Sequence, residues 1–322
     1  MTDIQTTDMT PASAARVASL VPEDSLSYYD CPPYALGANS SFKAHLYESD
    51  TAALLFHIKR GKGKTYYRVY RSWGPLPDQL ELLKAWIARY RDEADKLIFM
   101  YLAEETGQAL FPYLDTIAGS VERNVWPEDV IPIDCITEMP GKKYVRLRRD
   151  LNKFKRDNPE REVIQVVDDV THTEAWYVIK EWARQARKVR NVFNLNFKQY
   201  TYAFDNFRTD DCMHLLYKVA GEPVALQIMH KITDTCWAHT LGIALGTEQE
   251  DGTLFRPRGL WEWSSWEAFC LLQQRGVTHI ADGQRVANFK NKDKFRPIEG
   301  AVSGVRLAID GKYEDDECLP FQ

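Results

Sequence analysis

The sequence predicts an α/β protein built as two halves, each a mixed sheet flanked by helices. Three observations carry that expectation. Short apolar or alternating runs bounded by Gly and Pro recur along the chain, and segments with three- and four-residue apolar spacing fall between them. At 322 residues and 44% hydrophobic content the chain can bury a full core, and ordinary domain sizes make that two units. Between 213 and 281 two strands joined by a turn, a third strand, a loop, a long helix and a last strand follow one another. The expected division is a mobile leader over 1–24, an N-terminal lobe over 25–135 and a C-terminal, catalytic lobe over 136–322.

Residues 1–24 are rich in Thr, Ala, Ser and Asp with little aromatic content, which suits a leader without a core of its own. Lys43–Tyr47, Thr51–Lys59 and Thr65–Ser72 read as strands, with Arg60-Gly61-Lys62-Gly63 as a turn. Gly61-Lys62-Gly63-Lys64-Thr65 ends like a phosphate loop, but that motif's first glycine would fall on Ile58, so a hairpin is the reading. Gly74-Pro75-Leu76-Pro77 breaks the sheet, and Leu80, Leu83, Ile87 and Tyr90 place a helix over Gln79–Glu93. A strand over Lys96–Ala103 and a short helix over Phe111–Val121 close the first half.

In the second half Leu147, Leu151 and Phe154 form one stripe of a helix and leave Arg148, Arg149, Asn152 and Arg156 outside it. A strand over Glu162–Val167 follows. Thr171 with Glu174 then forms a candidate capping box for a helix to Arg190, with Trp176, Ile179, Ala183 and Ala186 inward. Met213–Val219 and Val224–Lys231 flank a Gly221-Glu222-Pro223 turn, and Cys236–Ala244 is a third strand. A loop over Gly246–Gly252, a helix over Leu260–Gln274, a strand over Val277–Ala281 and a closing segment over Asp282–Pro297 complete the chain.

The net charge of -5 by itself argues against bulk, non-specific nucleic-acid binding. Cations nevertheless concentrate in 142–161, 180–198 and 285–296, while Glu314, Asp315, Asp316 and Glu317 crowd the tail. Local basic surfaces on an acidic protein suit a single phosphate-bearing ligand. Cys31, Cys135, Cys212, Cys236, Cys270 and Cys318 are scattered without a Cys-x-x-Cys pair, which suggests free thiols and no metal. No run approaches the roughly 20 apolar residues of a membrane span and the N-terminus lacks a secretory pattern, so the expected location is cytoplasmic.

Gly141-Lys142-Lys143-Tyr144, an arginine a few residues later and Asn152-Lys153-Phe154 resemble the region that opens the aminoacyl-transferring domain of the lysyl-phosphatidylglycerol synthase C-terminal family. The resemblance covers much of 40–300 and implies tandem GNAT-like (acetyltransferase-like) domains that use aminoacyl-tRNA. Residues 213–281 also look like an acetyltransferase core, in which a pyrophosphate sits at a helix N-terminus. Where acetyl-coenzyme A users carry Arg/Gln-x-x-Gly-x-Gly/Ala, this chain has Arg256-Pro257-Arg258-Gly259-Leu260-Trp261. Trp261 would crowd the pyrophosphate and Pro257 removes a donor, which suggests the fold without the coenzyme. Phe289-Lys290-Asn291-Lys292-Asp293-Lys294-Phe295 is similar to the lysine-phenylalanine element of tRNA-dependent transferases, the Fem-type enzymes included. Lipid-modifying members usually carry a membrane-embedded flippase domain; the length here resembles freestanding relatives that condense an aminoacyl group with a soluble amine or hydroxylamine.

Attack of an amine on an aminoacyl ester builds negative charge on the carbonyl and then on the departing ribose oxygen, so a fixed cation lowers the barrier. A base must keep the amine neutral. The resemblance implies Lys290 and Lys294 near the leaving oxygen, with Arg296 as a phosphate contact. Asp282 is the candidate for amine binding or proton removal, and His239 the second candidate base. For His239 and His230 a buried structural imidazole is the alternative. The tRNA-binding set is Lys142, Lys143, Arg146, Arg148, Arg149, Lys153, Arg184, Arg187 and Lys188. Asn152, Arg258, Trp261 and Trp263 are the substrate-binding candidates, although the spacing of Trp263 and Trp266 also suits a core. No cofactor or metal is expected, because the ester is already activated. The expected partners are aminoacyl-tRNA and a small-molecule amine or hydroxyl acceptor, with a membrane surface as a further partner for the basic face. Two rival readings are an acyl-coenzyme A N-acyltransferase and a non-catalytic module that binds tRNA or anionic lipid.

Overall fold

Twelve strands form one continuous sheet in the computed structural model, which describes residues 4–37, 43–118, 120–190, 201–202, 204–205, 210–249, 253–284, 295–298 and 300–309, without the side chains of 187–190. The first half contains β1 (Gln5–Asp8), α1 (Pro11–Ala18), α2 (Pro32–Gly37), β2 (Ala44–Glu48), β3 (Ala53–Gly61), β4 (Lys64–Trp73), α3 (Leu76–Tyr90), β5 (Lys96–Ala103), α4 (Glu104–Ile117) and β6 (Val121–Pro132). The second contains α5 (Ile133–Thr137), α6 (Val145–Asp157), β7 (Arg161–Gln165), α7 (Asp169–Arg190), β8 (Cys212–Val219), β9 (Glu222–Lys231) and β10 (Cys236–Ala244). A small hairpin of β11 (Thr247–Glu248) and β12 (Leu254–Phe255) leads to α8 (Leu260–Gln274), β13 (His279–Gln284) and β14 (Ser303–Ile309).

The halves repeat one plan. Antiparallel β2–β3–β4 is followed by the crossover helix α3 and by β5, parallel to β4. Antiparallel β8–β9–β10 is followed by α8 and by β13, parallel to β10. Each half is a mixed sheet flanked by helices, as the sequence predicts. The strand order β1-β2-β3-β4-β5-β14-β6-β13-β10-β9-β8-β7 shows how they join. β6 pairs with β13 of the second half, and β14 returns from the C-terminal end to pair with β5 of the first. Val305, Leu307 and Ile309 of β14 therefore share a core with Leu82, Trp86 and Phe99, which a lobe spanning 136–322 does not anticipate.

Other expectations need correction. Within the supposed leader, β1 pairs with β2, Thr10 and Ser13 cap α1 reciprocally, and Val17 is buried. The helix expected over Phe111–Val121 ends at Ile117, and Val121 opens β6; Pro112, which suits a first helical turn, sits inside α4. The cap of α7 lies three residues earlier than Thr171. The Asp168 carboxylate accepts from the Thr171 N–H at 2.8 Å and Thr171 Oγ1 accepts from the Asp168 N–H at 3.3 Å. Glu174 instead binds Lys218 at 2.6 Å.

Helices α6 and α8 cover one face of the second half, where Leu147, Phe154, Met213, Tyr217, Trp263 and Phe269 form the core. Behind the sheet, α7 packs on Leu216, Leu226, Ile228 and Ile243. The N-terminal segment crosses the junction, burying Tyr28, Cys31 and Tyr34 with Ala238 of β10 and Ala281 of β13.

Candidate active site

The parallel ladder between β10 and β13 runs from Cys236/His279 to Ala238/Ala281. The next residues are His239 and Asp282, whose Nδ1 and Oδ1 stand 3.0 Å apart with side chains 6% and 10% exposed. On the other side His239 Nε2 is 2.6 Å from Gln227 Oε1 of β9. The Gln227 amide donates to Ser264 Oγ at 2.9 Å, and that hydroxyl donates to the Trp261 carbonyl at 3.1 Å. The chain Asp282–His239–Gln227–Ser264 thus crosses from the strand fork to α8. A methyl at Gly242 would lie 2.5 Å from His239 Nε2 and 2.7 Å from Gln227 Oε1, so glycine there makes room for the imidazole.

Facing a carboxylate oxygen, Nδ1 carries a proton and donates to Asp282 whichever way the Gln227 amide is turned. Both ring nitrogens of His239 are thus engaged, and the Asp282 carboxylate stands where the β10–β13 ladder stops.

The corresponding fork of the first half is filled. Beyond Val69/Phe99, Arg71 grips Asp30 through Nε at 2.7 Å and Nη2 at 2.9 Å and donates to the Tyr101 carbonyl. Tyr29 stacks on Tyr101 with centroids 4.0 Å apart. Beside them, burial pushes the Glu128 carboxyl up to about 7 against the opposing pull of Arg71, Ser27 and the Tyr28 N–H.

One helix ties the second fork to the basic surface. Gly259, at φ +91, precedes α8 where a Cβ would stand 2.3 Å from the Asp150 carbonyl and 2.8 Å from Phe154 Cβ. The glycine of the Arg256–Trp261 segment therefore lets α8 pack on α6. Glu262 is a buried acid in the first turn of α8, a residue type that does not favour a phosphate at that helix end. Trp261, half-buried, stacks on Phe295 at 4.9 Å. These residues do not fit a coenzyme pyrophosphate. Trp263 corrects its expected substrate role: it is 1% exposed, stacks on Phe154 at 5.2 Å and donates to Glu267.

Lys142, Lys143, Arg146, Arg149, Asn152 and Lys153 are exposed on α6 and the turn before it. Arg148 is not part of that face, because its guanidinium donates to the carbonyls of Met139 and Gly141. The buried Asp150 carboxylate lies 2.7 Å from Arg258, with the mostly exposed Arg149 and Arg146 at the longer distances of 3.5 Å and 3.9 Å. Arg258 accordingly joins α8 to α6. Lys153 pairs with Asp157 at 2.8 Å. Arg184 is held by Glu181 and Glu248, hydrogen bonds that raise its pKa and neutralise its charge locally. Arg296 is exposed and beside Tyr144: burial pushes that hydroxyl up to about 12, and Arg296 opposes the shift. Lys290, Lys294 and the side chains of Arg187 and Lys188 lie outside the described residues. Gln227, Ser264 and Asp150 escaped the sequence reading; their only signal is a polar side chain inside an apolar strand, an aromatic-rich helix and a basic helix.

No curated protein matches the chain. Among solved structures, a conserved protein of unknown function from Bacteroides thetaiotaomicron VPI-5482 superposes with a TM-score of 0.71 at 13% identity, covering 96% of this chain and 100% of that one. L-PGS from Bacillus licheniformis gives 0.64 at 16% identity, with 96% and 95% covered. The C-terminal domain of a protein described as a lysylphosphatidylglycerol synthetase from Agrobacterium fabrum gives 0.63 at 15%, with 94% and 93% covered. These likenesses show a shared fold. Among the described residues no helix is long and apolar enough to cross a membrane. The model of the phosphatidylglycerol lysyltransferase C-terminal family matches residues 40–241, well over half of the chain, and the protein belongs to that family.

Proposed function

We propose that the protein transfers the aminoacyl group of a charged tRNA to an amine or hydroxyl on a small molecule or lipid head group. The observation that carries this reading is the coupling of the Asp282–His239 fork, through α8, to the exposed cations of α6. Lys142, Lys143, Arg146, Arg149 and Arg296 contact the phosphates of the acceptor stem, which sets the tRNA end toward the fork.

In the reaction a carbon–nitrogen or carbon–oxygen bond forms at the ester carbonyl and the bond to the terminal ribose oxygen breaks. Asp282 takes the proton of the attacking group, and His239, donating through Nδ1, fixes the carboxylate in place. Lys290 and Lys294 supply positive charge for the leaving oxygen, a role that rests on the family resemblance. The ester is already activated, so this reading requires no cofactor. Trp261 and Glu262 weigh against the coenzyme A alternative.

Purified protein incubated with a charged-tRNA pool labelled in its amino acids, with cell extract as acceptor source, tests the reading. It predicts discharge of one amino acid into a ribonuclease-resistant product. Discharge of none, with hydrolysis controls intact, would refute it.

A further inference from the structure

On the sheet face opposite His239, Cys212 and His214 sit two residues apart on β8 and so point the same way. His230 of β9 is the cross-strand partner of Cys212. The Cys212 Sγ and the ligating nitrogens of both imidazoles lie within 4.8 Å of one another, and all three residues are buried. We infer that Cys212, His214 and His230 form a site for a zinc-type divalent cation, independent of the transfer chemistry.

Two features favour a metal over a plain contact between two histidines. The two Nε2 atoms are 3.3 Å apart. Two nitrogens bound to one tetrahedral zinc at about 2.0–2.1 Å are separated by about 3.3–3.4 Å. The outer nitrogen of His230 is also fixed. Thr240 Oγ1 gives its only proton to the Ile228 carbonyl at 2.9 Å and must accept from His230 Nδ1–H at 3.0 Å. His230 Nε2 therefore carries a lone pair aimed at His214, the outer-sphere arrangement metal-bound histidines use to set tautomer and orientation. The sequence hides this set, because its ligands come from adjacent strands without the spacing of a zinc finger.

The test is metal retention by the full-length protein. After incubation with Zn2+ or Co2+ and desalting, the wild type should keep one equivalent, and the Co2+ form should show thiolate charge transfer with the absorption of a tetrahedral site. Cys212→Ser should abolish the charge-transfer band. Thr240→Val keeps all three ligands and should weaken affinity about 10–100-fold. That variant decides the matter if Cys212→Ser fails to fold. No retention by the wild type, or retention and spectra indifferent to both substitutions, would overturn the site and leave a hydrogen-bonded histidine pair.

Discussion

Gly242→Ala probes whether the polar chain at the fork serves transfer or only packing. The added methyl would stand 2.5 Å from His239 Nε2, 2.7 Å from Gln227 Oε1 and 2.7 Å from His239 Cε1. Gln227 and His239 are both buried, so neither side chain can swing away. Position 242 is not among the residues with positive φ, and the effect is therefore steric. Overpacking of this kind costs about 1–3 kcal/mol, which urea unfolding would register. The ring must also shift by several tenths of an ångström, carrying the Nδ1–H away from Asp282. Misplacement of a reacting group by about 1 Å can cost on the order of 100-fold, so single-turnover transfer should fall roughly 10- to 100-fold. Binding of tRNA should change by less than about twofold, since the α6 cations contribute it separately. Gly259→Ala is the contrast: its methyl meets the Asp150 carbonyl at 2.3 Å in a left-handed backbone. It should cost about 2–5 kcal/mol. If Gly242→Ala lost stability and kept full transfer, the Asp282–His239–Gln227–Ser264 chain would be a core feature and the assignment of the fork would fail.

Three further outcomes are expected. Arg146→Ala with Arg149→Ala should weaken tRNA binding and flatten its logarithmic salt slope by about 0.9 per lost phosphate contact, measured by filter binding from low to moderate salt. Arg148→Ala, by contrast, should loosen the Met139–Gly141 turn and lower stability without changing that slope. Glu128, raised from 4.5 to about 7, keeps a proton in the folded state that the unfolded chain has already released, so its contribution to stability is full below about pH 4.5 and lost as pH rises to 7. Glu128→Gln should flatten the pH dependence of the urea midpoint over that window by up to about 3 kcal/mol, and an unchanged profile would show that another group dominates. Trp261→Gly should not create coenzyme A binding by calorimetry, because the first turn of α8 still holds the acid Glu262; tight binding would favour the acetyltransferase reading.

Local patterning made much of the fold legible. Lys96–Ala103, Cys236–Ala244 and Leu260–Gln274 form the expected elements to the residue, because polar or turn-forming residues stand at or within one residue of each end. β14 was not legible: Ser303–Ile309 becomes a strand by pairing with β5 and β6, far away in sequence. β1 and α1 depend in the same way on β2 and on the junction core. At the site, Asp282 and His239 were visible as residue types on neighbouring strands, but their contact arises where the ladder stops. Arg148, Arg184 and Arg258 looked alike as basic residues. Only their close partners, backbone carbonyls, Glu181 with Glu248, and Asp150, separate them from the more exposed cations of α6.

The central claim is that Asp282 handles the proton while α6 holds the tRNA. Asp282→Asn keeps an oxygen acceptor for His239 and removes the base, so paired measurements of charged-tRNA binding and single-turnover transfer test the claim most directly. Binding should stay within about twofold of wild type and transfer should fall by about 100-fold or more. Transfer at the wild-type rate with Asn at position 282 would contradict it.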